Sequence, residues 1–366
     1  MMTTSTQDTP SQGGTNGHKP LKASTPLMGS MGSKGSKALK PKAQHALELE
    51  ALVGEQSIEL LKALHILTRD GQLNQDSRRK LKQVNHLVQL LEGPLRELAS
   101  VQKADEPRPL TLVDHGAGKS YLGFVLYDRF GARAANETLL KEAGPGGAQK
   151  APKAPMTPKS STSANKKAAM GLSVIAVESR AELVERSAQL AKDFGFVGMT
   201  FLNARSEDVG ALKDMPPTVD VVTALHACDT LSDDAIEFAL SKSAQLVFLV
   251  PCCQAETASV LKANRALLLN KTPLAELWRH PLHAREVGSQ LTNVMRCLYL
   301  EAMGYTVTVT ELVGWEHSMK NELIVAKYTG QKKKQAAQRL KELLAQFGLE
   351  GLLSQRFARI EKGGEA

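Results

Sequence analysis

Between residues 110 and 327, short apolar runs alternate with longer amphipathic stretches, and this alternation limits the fold more than any other feature of the chain. Residues 110–113, 173–177, 199–202, 219–225, 245–250, 305–313 and 323–327 have the length and aliphatic, β-branched character of strands. Helical periods over 121–130, 181–194, 233–241 and 284–303 separate most of them. Such a pattern predicts an α/β fold, a mostly parallel sheet covered by helices on both faces. Only residues 314–322 separate the last two strands, too few for a crossover helix, so an antiparallel C-terminal hairpin is expected at or near the sheet edge.

The flanks differ in kind. Residues 1–43 are Thr, Ser, Gly, Pro and Lys with few large apolar side chains, so a disordered basic tail is expected. Residues 44–106 return to apolar spacings of three and four, in Leu47, Leu52, Ile58, Leu61, Leu64 and again in Leu81, Val84, Leu87, Leu91. With breaks at Asp70-Gly71 and Gly93-Pro94, they predict a small N-terminal helical domain. The α/β domain then spans 107–330, interrupted by a disordered insert at 143–169. A basic C-terminal helical extension follows over 331–366, its period carried by Leu340, Leu343, Leu344 and Phe347.

The net charge of +8 is concentrated in these flanking and inserted segments. Residues 1–43 hold six lysines against one aspartate, and 143–169 hold five lysines and no acid, which leaves the rest of the chain net acidic. Solvated tails explain this charge better than a dedicated RNA clamp, because the aromatics that would stack on bases make up only 4% of the residues. Four cysteines, Cys228, Cys252, Cys253 and Cys297, are too few for a secreted disulfide framework. Without an apolar export segment or an eighteen-residue apolar run, the chain reads as a cytoplasmic protein with reduced thiols and no membrane contact.

The chemistry starts where the first strand ends, at Asp114-His115-Gly116-Ala117-Gly118-Lys119-Ser120-Tyr121. A strand entering a Gly-x-Gly bend and then a helix lets a ligand approach backbone amides at the carboxyl edge of the sheet. A phosphate-cradling loop would need glycine at Val113, and a nicotinamide fingerprint would need it at Tyr121, so neither spacing fits. An acid set one residue before Gly-x-Gly suits a ligand carrying an ammonium and a sulfonium; the alternative is a merely tight turn. The second strand ends on Glu178-Ser179, and an acid there can accept both hydroxyls of a ribose or, alternatively, cap the following helix.

The fourth strand ends His226-Ala227-Cys228-Asp229 and the fifth ends Pro251-Cys252-Cys253-Gln254. In a parallel sheet both ends open on the same edge, next to the glycine bend. Zinc is not expected, since adjacent Cys252 and Cys253 cannot easily face one ion and no Cys-x-x-Cys knuckle is present. Small buried thiols explain the cysteines equally well, but an unpaired buried Asp229 would be costly.

The Asp114–Leu122 stretch, Leu-His-Ala-Cys-Asp at 225–229, Pro-Cys-Cys-Gln at 251–254 and the late Lys320-Asn321 together resemble the class I S-adenosylmethionine-dependent methyltransferases. More narrowly, they are similar to a Rossmann-like methyltransferase-domain family with glutathione S-transferase C-terminal-domain-containing and methyltransferase-like relatives. The resemblance covers residues 75–330. It implies a Rossmann-like methyltransferase sheet and S-adenosylmethionine as cofactor, with Asp114, Gly116 and Gly118 at its methionine part and Glu178 at its ribose. Tyr121, Ser179 and His226 join the implied cofactor contacts, and Asn203, Glu207 and Asp208 compete for the adenine. Ser120 stands where many such loops carry a third glycine.

Methyl transfer requires a positioned, desolvated nucleophile and, if that nucleophile is protonated, a base. Asp229 is the preferred base or orienting group; His226 and His317 are weaker choices, and Cys252 or Cys253 is a candidate covalent relay. Cys253, Gln254, Lys320 and Asn321 are the candidate acceptor contacts. The methyl acceptor is open: RNA drawn by the basic segments, or a protein or small molecule. A non-catalytic cofactor-binding scaffold is the alternative outside enzymology. Oligomeric state is not legible.

Overall fold

Seven strands, β1 (Leu110–His115), β2 (Leu172–Glu178), β3 (Met199–Asn203), β4 (Val221–Cys228), β5 (Leu246–Cys253), β6 (Tyr305–Glu311) and β7 (Glu322–Tyr328), form one sheet in the order β3-β2-β1-β4-β5-β7-β6. The computed structural model describes residues 49–54, 56–101, 108–131, 171–253, 255–264, 273–312 and 322–361. β1 through β5 are parallel, while β7 runs antiparallel to both β5 and β6. The predicted hairpin is therefore present, with β6 at the edge. The order reverses between β1 and β4, which opens a crevice at the carboxyl ends of these strands.

Period-two alternation sends successive side chains to opposite faces. Val113, Val222, Ala224, Val247 and Leu249 enter one buried cluster, and Leu112, Val221, Leu246, Phe248 and Val250 enter the other. The second face is covered by α1 (Ile58–Ala63), α2 (Gln75–Ser100), α3 (Tyr121–Leu126) and part of α4 (Ala181–Phe194). Leu60, Leu61, Leu81, Leu91 and Leu95 of α1 and α2 lie in the same cluster as Leu112 and Phe248 of the sheet. The segment expected as a helical domain thus shares its core with the strands.

The turn at Asp70-Gly71 separates α1 from α2, with Gly71 in the left-handed region at φ 75°. The expected break at Gly93-Pro94 is not there: α2 runs through Pro94. A proline removes one helical hydrogen bond, and the fully buried Leu91 and Leu95 on either side hold the helix across the gap.

The first face carries α5 (Leu231–Ser241), α6 (Ala255–Asn264), α7 (Pro281–Ala302) and the terminal helices α8 (Lys334–Phe347), α9 (Gly351–Arg356) and α10 (Ala358–Glu361). Leu340, Leu344, Leu349, Leu352, Phe357 and Ile360 are all buried in that cluster. The terminal helices are therefore part of the core, clasped further by Arg356 on Glu256 at 2.7 Å and Arg359 on Glu237 at 2.9 Å.

A π turn, Tyr127–Gly131, ends the α3 segment. A Cβ on Gly131 would meet the Leu172 carbonyl oxygen at 2.9 Å, so the chain departs beside the amino end of β2. It is next described at Gly171, whose carbonyl accepts the Leu110 amide at 2.9 Å. The residues between, with the expected insert, and the tail at 1–43 lie outside the described residues. Among the described residues no helix is long and apolar enough to cross a membrane.

Candidate active site

The bend after β1 is built by three left-handed residues, Gly116 (φ 64°), Gly118 (φ 58°) and Ser120 (φ 54°). Gly116 is needed on two counts, because a Cβ would also press on Leu231 at 3.1 Å. At Gly118 a Cβ would find only the Arg180 guanidinium, at 3.9 Å, so its face opens on space where a ligand can reach the backbone. Ser120 tolerates the left-handed turn, and the close helix-to-strand approach falls instead to Gly123, where a Cβ would lie 3.1 Å from Val174. Tyr121 opens α3.

Asp114 is 3% exposed. Its carboxylate accepts the Thr223 hydroxyl at 2.6 Å from the adjacent position on β4. Burial pushes its pKa up to about 7, with the Thr223 bond opposing only part of that rise. His115 points into the core, where Nδ1 lies 2.6 Å from Ser206 Oγ and the ring stands edge-on to Phe238. Burial lowers its pKa to about 3, so the imidazole is neutral.

The bend is tied to the end of β2. The Ala117 amide donates to the Val177 carbonyl at 2.9 Å, and the Gly118 amide donates to Glu178 Oε2 at 2.9 Å. Glu178 also accepts from the Arg180 amide at 3.1 Å and from Arg180 Nε at 2.9 Å. Burial raises its pKa, but the Arg180 side chain and the two amides outweigh that and hold the carboxyl below its ordinary value. Ser179 Oγ lies 3.4 Å from Glu178 Oε1. The Asn203 amide group donates to the carbonyls of Glu178 at 3.0 Å and Ser179 at 2.9 Å, and Glu207 pairs with Arg205 at 2.7 Å.

On the other side of the crevice β4 and β5 end side by side, with Cys228 in register with Cys253 after a bulge. Asp229 follows in the left-handed region at φ 51°. Its Oδ1 accepts the amides of Ala255 at 3.0 Å and Glu256 at 3.1 Å, the first turn of α6. The carboxylate is therefore a cap that joins the two strand ends, an arrangement closer to orienting than to proton abstraction. For His226, Cys228, Cys252 and Cys253 only the backbone is described, and Gln254, His317, Lys320 and Asn321 lie outside the described residues.

The structure thus brings Asp114, Gly116, Gly118, Glu178 and Ser179 together. Thr223 and Arg180, which the sequence did not single out, belong to the same group. Thr223 sits in an apolar strand where a hydroxyl gives no periodic signal, and only the strand order reveals that it faces Asp114.

A mixed seven-stranded sheet with an acid-led glycine bend at the strand-order reversal defines a Rossmann-like methyltransferase fold. Residues 79–140 and 161–260 match the family model described as a methyltransferase domain, and this part of the chain is a methyltransferase domain. Solved structures similar to the chain include magnesium protoporphyrin IX methyltransferase from Synechocystis with bound S-adenosylmethionine. That match has 13% identity and a TM-score of 0.36, covering 81% of this chain and 100% of the other. An rRNA methylase from Streptococcus thermophilus has 9% identity and a TM-score of 0.32, covering 65% and 95%. TrmK of M. capricolum, with bound S-adenosylhomocysteine, has 9% identity and a TM-score of 0.33, covering 74% and 92%. These likenesses are distant, and the assignment stands on the family match and the sheet order. No curated protein matches the chain. None of these findings bears on the resemblance to glutathione S-transferase C-terminal-domain-containing proteins.

Proposed function

We propose that Asp114, Gly116 and Gly118 hold the methionine part of S-adenosylmethionine, that Glu178 holds its ribose, and that the acceptor enters beside Asp229 and the ends of β4 and β5. The observation that carries this reading is the 2.9 Å bond from the Gly118 amide to Glu178, which joins the two expected contact groups in one wall of the crevice. The residues present suit that cofactor: a buried carboxylate for a cation, an open glycine face for backbone contact, and a second carboxylate for a diol. When bound, the cofactor supplies an electrophilic methyl on sulfur. Asp114 offsets its positive charge in a low-dielectric setting, Thr223 fixes that carboxylate, and Asp229 orients the acceptor side. Tyr121 borders the bend.

Arg180 is the residue that must move. Its side chain is 61% exposed and bonded to both oxygens of Glu178, in competition with a ribose. Solvent screening on the Arg180 side keeps such a pair to about 0.2–1 kcal/mol, so Arg180→Ala is expected to tighten S-adenosylmethionine binding by up to roughly fivefold. Calorimetry at low and high salt checks it: wild-type affinity should approach that of the variant as salt rises. Weaker binding by the variant would make Arg180 a cofactor contact instead.

The acceptor we propose is RNA: the lysine-rich segments at 1–43 and 143–169, though no base-stacking clamp, would supply sequence-independent attraction to phosphate. A protein or small-molecule acceptor is the second reading, favoured by the net acidic remainder of the chain. Incubation with tritiated S-adenosylmethionine and fractionated cell extract decides between them. Label removed by ribonuclease supports RNA; label surviving ribonuclease but lost to protease, or label in the small-molecule fraction, refutes it.

A further inference from the structure

Behind the Asp229 turn lies a buried arginine for which the proposed cofactor site has no use. Arg296, on α7, is 1% exposed. Its Nε donates to Asp233 Oδ1 at 2.8 Å, and Nη2 donates to Asp233 Oδ2 at 2.6 Å and to the Asp229 backbone carbonyl at 2.8 Å. Nη1 donates to Asn293 Oδ1 at 3.3 Å, and Asn293 Nδ2 donates onward to Glu322 Oε2 at 2.8 Å. One guanidinium therefore joins the first turn of α5, the β4–α5 turn and, through Asn293, the start of β7.

Asp229 is thus held at both ends of its strained conformation. Its carbonyl is gripped by Arg296, and its carboxylate caps α6. The helix that carries Arg296 also braces α6 directly. Thr292 Oγ1, which donates to the Gly288 carbonyl at 2.7 Å, lies in hydroxyl–hydroxyl hydrogen-bond contact with Thr257 Oγ1 at 2.7 Å, and Gly288 admits α6 so closely that a Cβ would lie 2.8 Å from Ala258 Cβ.

A buried Arg–Asp pair adds little stability beyond an apolar pair of similar volume, because desolvation offsets its attraction. What it adds is direction. The planar fork fixes a carboxylate and a carbonyl at once, which a lysine cannot do. We propose that Arg296 is a positioning residue for methyl transfer: it sets the Asp229 turn, and through Asp229 the start of α6, at the edge where β4 and β5 end. This inference rests on the reading that the acceptor enters at that edge.

Two variants test it. Arg296→Met with Asp233→Leu replaces the pair by apolar side chains, and Arg296→Lys keeps the charge without the fork. Both should bind S-adenosylmethionine within about twofold of wild type by calorimetry. Exchange of the Ala255 and Glu256 amides should be at least roughly tenfold faster, and tritium transfer from S-adenosylmethionine into the extract at least roughly tenfold slower. Unchanged exchange and transfer in a folded variant would overturn the proposal. So would a loss of cofactor affinity in step with transfer, which would mean a general structural role. If Glu178→Ala leaves affinity intact, the cofactor reading fails instead, while amide exchange still judges Arg296.

Discussion

Near neutral pH, Asp114→Asn is expected to weaken S-adenosylmethionine binding by roughly 10- to 100-fold, the range for losing a charge-assisted contact. The same change should raise the melting temperature of the cofactor-free protein. Burial has lifted the folded-state pKa of this carboxyl to about 7, above its unfolded value. Its neutral form therefore favours the fold below the unfolded pKa, and that contribution is lost as pH rises through about 7. Asparagine has no charge to desolvate, so the variant should match wild type near about pH 4 and melt roughly a few degrees higher near about pH 8. Wild-type affinity should climb about tenfold between roughly pH 6 and 7.5 as Asp114 ionises, and the variant should stay flat. A parallel pH profile in the two proteins, or calorimetric affinity unchanged by the substitution, would remove Asp114 from the site. His115 pulls the other way: its folded pKa of about 3 lies below its unfolded value, so its contribution is present at neutral pH and lost as the solution is acidified.

A chain ending at Thr329 is expected not to fold cooperatively. It would lose Leu340, Leu344, Leu349, Leu352, Phe357 and Ile360, each buried in the first-face cluster. At about 1.5–3 kcal/mol per buried side chain, the loss is on the order of 10 kcal/mol, as large as the whole stability of a typical domain. Trp278, edge-on to Phe347, and Tyr299, edge-on to Phe357, would also be left uncovered. Thermal unfolding followed by circular dichroism gives the answer. A soluble fragment with a sharp transition would show that the terminal helices are dispensable.

The strands were legible because each is a short aliphatic run bounded by turn residues, and their ends fall within about three residues of the runs read from the sequence. α6 was not legible. Ala255–Asn264 mixes Ala, Thr and Ser with few large apolar residues, so it carries no stripe, and close packing against Gly288 makes the helix instead. The terminal helices showed their period but not their partner: an amphipathic segment after the last strand reads the same whether it leaves the core or completes it. Glu178 and the glycine bend could be found because they end strands, where polar residues stand out. Arg296 could not, since an arginine in an amphipathic helix looks like a solvent-facing one until Asp233 is seen opposite it.

The departure at Gly131 and the return at Gly171 share the amino end of β2, a full strand length from the crevice. Both anchors lie on that far rim, at the opposite end of the strands from Asp114 and Glu178. Amide exchange at Leu110, bonded to the Gly171 carbonyl, would therefore monitor the fold at a point clear of Asp114 and Glu178.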